Sequence, residues 1–149
     1  MGSVRAHQTS EDIMETAYTY LALSGMLTLL LWTPYILARV FVWGLPTFLN
    51  NYPEGFPAQA PVPPLWAQRA QRAHLNMVET LPALVAVIVA ATWLAGDAKG
   101  ALIGMLTQVF FFARVAHAIV YTAGIPFLRT PVYLVSWASV LAIGYQAIA

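Results

Sequence analysis

The chain has no cysteine and very little charge. Without cysteine there can be no disulfide framework, no thiolate metal site and no cysteine nucleophile. Charged residues make up 9% of the 149 residues, against roughly 25% in an ordinary soluble domain. So few charges cannot keep a surface wet. The 60% hydrophobic content and the mean hydropathy of +0.68 agree. A formal net charge of +1 lacks the concentrated basic stripe of a nucleic-acid binder. The histidines, His7, His74 and His117, are isolated, with no carboxylate at ligand spacing, so no metal site is expected. There is no glycine-rich phosphate loop, and no serine has recognisable His and Asp partners for a hydrolase triad.

What is present is a set of long apolar runs. A spanning helix needs about 20 mainly apolar residues. Thr16 to Ala38 carries no charge, and its apolar character continues past Arg39 to Trp43. Pro34 is an expected kink. The run does not read as a cleavable signal peptide, because Glu11, Asp12 and Glu15 accompany Arg5 ahead of it. Residues 1–15 are expected to form a loose or amphipathic arm. Leu45 to Pro64 holds Pro46, Pro53, Gly55, Pro57, Pro61, Pro63 and Pro64 and reads as a loop at headgroup level. Phe48, Tyr52, Phe56 and Trp66 would be its interfacial anchors. Further spans are expected at about 66–94, 101–122 and 131–149, giving one domain over 16–149. Gly124-Ile125-Pro126 should stop the third span, and Pro131 suits the first turn of the fourth. Lipid leaves backbone groups no partner but their own helix. The expected fold is therefore an all-α integral membrane protein, a four-helix up-down bundle. Arg39, Arg69, Arg72 and Arg129 lie at one end, Arg5 and Lys99 at the other. That asymmetry predicts the arginine-rich end in the cytoplasm.

Ionisable residues inside membrane helices are costly and usually functional. Arg69, Arg72, Asn76 and Glu79 recur at spacings of three, four and three on one face of the second span. Arg114, His117 and Tyr121 do the same on the third, and Arg129 and Tyr133 open the fourth. Each has a plainer reading alone. An arginine near a helix end snorkels, Glu79 neutralises Arg72 or Arg114, and His117 makes an interhelical hydrogen bond. Together they exceed what snorkelling needs and converge on one end of the bundle. Arginine clusters favour bidentate contacts to small anions, while Asn76 and Glu79 offer acceptors to an ammonium group. A zwitterionic peptide with several carboxylates fits that mixture.

The run Arg72-Ala73-His74-Leu75-Asn76-Met77-Val78-Glu79, followed by Pro82, resembles the second-helix signature of the MAPEG superfamily, closest to its microsomal glutathione transferases. Arg114-Val115-Ala116-His117 with Tyr121 resembles the third-helix motif of the prostaglandin E synthase branch. Arg129-Thr130 and Tyr133 resemble the start of that branch's fourth helix. Met77 replaces an aspartate of the transferases, which suggests a divergent, bacterial-type member. The resemblance implies a homotrimer binding glutathione between subunits, with lipophilic substrate entering from the bilayer. Arg39, Arg72, Asn76, Glu79, His117, Tyr121 and Tyr133 would match cofactor-binding positions, and Arg129 the catalytic arginine beside the thiol. The implied function is a glutathione-dependent transferase or peroxidase acting on lipophilic electrophiles, in the inner membrane if the source is bacterial. The alternative is a non-catalytic lipid-binding scaffold resembling the lipoxygenase-activating protein. A small transporter would want polar residues along a full path rather than at one end.

Overall fold

A computed structural model describes residues 2–50 and 61–149, and the side chains from residue 14 onward except that of residue 97. The elements are α1 (Gly2–Trp43), α2 (Leu45–Leu49), α3 (Leu65–Leu94), α4 (Gly100–Ala123) and α5 (Arg129–Ile148), with a 3₁₀ turn at Asp97–Lys99. There is no strand among the described residues. Four helices are long and apolar enough to cross a membrane, Met14–Trp43, Leu65–Leu94, Gly100–Ala123 and Arg129–Ile148. The chain is an all-α, four-span membrane bundle.

Three boundaries differ from the sequence expectation. The N-terminal arm is not loose. It is continuous with α1, because residues 3–24 contain neither glycine nor proline and nothing breaks the hydrogen-bond ladder. The loop after Trp43 opens with the short helix α2, whose first turn accommodates Pro46. Tyr52 and Phe56, the expected anchors there, lie outside the described residues. The last helix begins at Arg129, two residues before Pro131. A proline in the first turn costs no helical hydrogen bond, since its nitrogen has no intrahelical acceptor.

The ends of α4 follow local rules. Gly124 caps it at φ +72°. Its N–H donates to Tyr121 O, and the Ile125 N–H donates to Val120 O, both at 3.1 Å. This is the paired pattern of a Schellman cap, and glycine meets its left-handed residue without a Cβ penalty.

α1 and α5 each pack against both α3 and α4, and α3 also packs against α4. Lipid tails are as apolar as leucine, so apolar burial does not drive this association; close backbone approach and dispersion do. α3 accordingly presents Ala67, Ala70, Ala73, Met77, Leu84, Ile88 and Ala91 inward. Leu84 and Ile88 join Phe110, Ile103 and Ile143 in the main core. Hydroxyls in this interior bond within their own helix. Ser24 and Thr107 donate to the carbonyls of Tyr20 and Ile103, which satisfies them where no water reaches. Thr92 donates to Ile88 O, leaving its oxygen to accept from Tyr18, 2.7 Å away on α1.

Candidate functional site

The up-down topology brings the C-terminal ends of α1 and α4 together with the N-terminal ends of α3 and α5. The arginines gather at this end. Arg114 is the deepest, at 1% exposure. One of its terminal nitrogens donates to Asn76 O at 2.9 Å and to Thr80 Oγ1. Thr80 passes its own proton to Asn76 O at 2.6 Å. The guanidinium faces the rings of Tyr133 and Phe110, 5.0 and 5.5 Å from their centroids. Its Nε and second terminal nitrogen are buried with no acceptor. A buried cation with two unmet donors is the feature most in need of an anionic counterpart.

Beside it lies a cavity of about 260 Å³ lined by Asn76, His117, Tyr121, Arg129, Thr130 and Tyr133. His117 is buried and held by aromatic contacts, its ring centroid 5.5 Å from that of Tyr121 and 5.7 Å from that of Tyr133. A second, surface cavity of about 390 Å³ shares Tyr121, Arg129 and Thr130 and adds Arg69 and the loop after Gly124. Arg129 therefore borders both. Its guanidinium lies over the Tyr121 ring at 5.0 Å, with a long contact of 3.5 Å to the phenol oxygen. Arg129 and Thr130 also head α5, where free backbone N–H groups and the helix dipole add positive potential.

Of the residues expected at the site, five come together here: Asn76, His117, Tyr121, Arg129 and Tyr133. Three do not. Arg72 and Glu79 are exposed on the outer face of α3 and line neither cavity. Their side chains make no hydrogen bond or ion pair among the described residues. Thr80 and the Asn76 carbonyl hold Arg114 by hydrogen bonds within one chain, while Glu79 acts on it only through longer-range attraction. Arg39 belongs to a separate cluster between α1 and α3. It donates to Gln71 Oε1 at 3.1 Å and lies 5.8 Å from the centroids of Tyr35 and Trp43. His74, isolated in sequence, shares a 2.9 Å hydrogen bond with Tyr35.

Sequence reasoning missed Thr80, named Thr130 only as part of a motif, and put Arg69 in the polar cluster without its contact at the end of α4. Thr80 carried a signal, being one helical turn beyond Asn76. The approach of Arg69 to Gly124 had none, because it depends on how the start of α3 packs on the end of α4. Among the described residues no group of three His, Cys, Asp or Glu side chains suits a metal ion.

One family model, the MAPEG family, matches residues 16–149. No curated protein and no solved structure matches the chain.

Proposed function

The chain belongs to the MAPEG family, a membrane family of glutathione transferase and related functions, and from that membership we propose a glutathione-dependent transferase or peroxidase that acts on lipophilic electrophiles. The single observation that carries the proposal is Arg129, a cation bordering two cavities at the headgroup end of the bundle. A scaffold that only presents a lipid needs no cation on the smaller, inner cavity, which Arg129 also lines.

The donor set suits a peptide with several carboxylates. Arg114, buried behind the cavity, has two N–H donors without acceptors, and Asn76, Tyr121 and Tyr133 supply neutral hydrogen-bonding groups in the cavity lining. Glutathione, when bound, supplies a nucleophilic sulfur. Arg129 and the start of α5 provide fixed positive potential, which favours the ionised form of an acidic group held between them. His117 and Tyr133 are positioned by ring contacts, so they can orient a ligand with little reorganisation.

Arg72 and Glu79, exposed in the single chain, sit beside the exposed small residues Ala83 and Ala86 on the same helix. A neighbouring copy packed there would shelter them and complete the site, which supports assembly as a homotrimer. Calorimetry on detergent-purified protein should show glutathione binding, and conjugation of chlorodinitrobenzene should follow. Native mass spectrometry of that preparation should give a trimer. Binding without any conjugation would replace the enzyme with the lipid-presenting scaffold, and a purely monomeric species would remove the shared site.

The arginine-rich end faces the cytoplasm in this reading, so both ends of the domain lie across the membrane. A reporter fused after Ala149 should be active only when it works in a periplasm-type compartment. Cytoplasmic reporter activity would reverse the orientation.

A further inference from the structure

The larger cavity contains more than the proposed chemistry uses. Arg69, on the first turns of α3, reaches the end of α4 so closely that a Cβ on Gly124 would overlap its guanidinium. Gly124 also sits at φ +72°, so glycine is required there by conformation, and any larger residue would push the Arg69 head aside. Three residues on, Phe127 adopts φ +64°, and the Leu128 N–H closes a tight turn around it onto Pro126 O at 2.8 Å. A positive φ on a bulky residue is strained, and such turns are rare. The loop therefore holds its shape at a cost, and it leaves Phe127 93% exposed.

The result is a surface cavity of about 390 Å³ with two guanidiniums, Arg69 and Arg129, and no acidic residue in its lining. That volume falls within the roughly 300–1,000 Å³ of small-molecule sites. The cavity lies where α3 and α5 begin and α4 ends, at headgroup depth. Its outer rim is the exposed apolar run Ile125, Pro126, Phe127 and Leu128. A soluble anion would need the arginines and not the rim. An amphiphile needs both, with its charge between the guanidiniums and its chains against the rim.

We propose that this cavity binds the phosphate headgroup of an anionic phospholipid. Arg69 is the selective contact, and Phe127 anchors the loop in the interface. The site shares Arg129, Tyr121 and Thr130 with the smaller cavity, but no thiol is involved and Arg69, the selective contact, lies outside that cavity, so lipid retention is read without glutathione.

The test is native mass spectrometry of the full chain in mild detergent, with dioleoyl phosphatidylglycerol or dioleoyl phosphatidylcholine added and glutathione omitted. The wild type should retain phosphatidylglycerol about tenfold better, because phosphatidylcholine carries the same phosphate but brings a quaternary ammonium that the two guanidiniums repel and no acidic residue of the lining accepts. Arg69→Gln should abolish that preference. Gly124→Ala keeps every charge but pushes the Arg69 head aside, and should abolish it too. Arg39→Gln removes a charge at the same end but outside the cavity, and should leave lipid retention unchanged. Excess inorganic phosphate should not displace the lipid. Equal retention of the two lipids by the wild type would overturn the proposal whether or not any variant folds. So would equal losses in Arg69→Gln and Arg39→Gln, which would mean diffuse charge. Complete displacement by phosphate would do so as well, since the site would then take a free anion.

Discussion

In Arg129→Leu, turnover of a model electrophile should fall by about 10²–10³, the usual cost of removing one group that stabilises charge at a reacting atom. Glutathione affinity should fall far less. Arg129 stands at the boundary of the two cavities with its guanidinium against the Tyr121 ring, while the unmet donors of Arg114 lie deeper. On the proposed reading the two arginines would divide the work between the reacting centre and the peptide. Ultraviolet absorbance of the bound thiolate should also disappear in the variant, because the missing cation is what favours ionisation. Arg129→Lys should recover part of the turnover, keeping the charge but losing the planar group that stacks on Tyr121. Full turnover in Arg129→Leu, with the thiolate signal intact, would move the catalytic role to another residue.

The spans were legible because lipid imposes a simple rule, long apolar runs with helical hydrogen bonding. The end of α4 was legible because Gly124 and Pro126 act locally. The site was legible only as far as one helix reaches. The spacing of Arg72, Asn76 and Glu79 does put them on one face of α3, yet only Asn76 lines a cavity. Within one chain the edge of the α3–α4 contact runs through that face, and helical periodicity does not say where. His74 shows the same limit. Its hydrogen bond is to Tyr35, 39 residues upstream, a pairing set by the register of α1 on α3. The N-terminal arm stayed open for another reason. Its charges argued against a cleavable signal peptide, which was a different question from whether it is loose or helical.

Arg114 leads to an expected result of opposite signs. An ionised side chain in the membrane interior costs about 2.5–3.5 kcal/mol on insertion scales, and this one has two nitrogens without acceptors. In Arg114→Met nothing else is orphaned. The Thr80 hydroxyl still donates to Asn76 O, and the new side chain packs where Phe110 and Tyr133 already offer aromatic surface. Replacing a poorly compensated buried charge with an apolar side chain is often neutral or stabilising by about 1–4 kcal/mol. The variant should therefore melt at or above the wild-type Tm in detergent. Its glutathione affinity should drop by about 10–100-fold, since a hydrogen bond to a charged group contributes about 1.5–3 kcal/mol. Thermal melts and calorimetry on one preparation read both signs. Higher stability with weaker binding means the fold tolerates Arg114 for the sake of the ligand. A clear fall in Tm with binding intact would instead make Arg114 a structural tie, holding α4 to α3 through Thr80 or meeting an acceptor on a neighbouring copy.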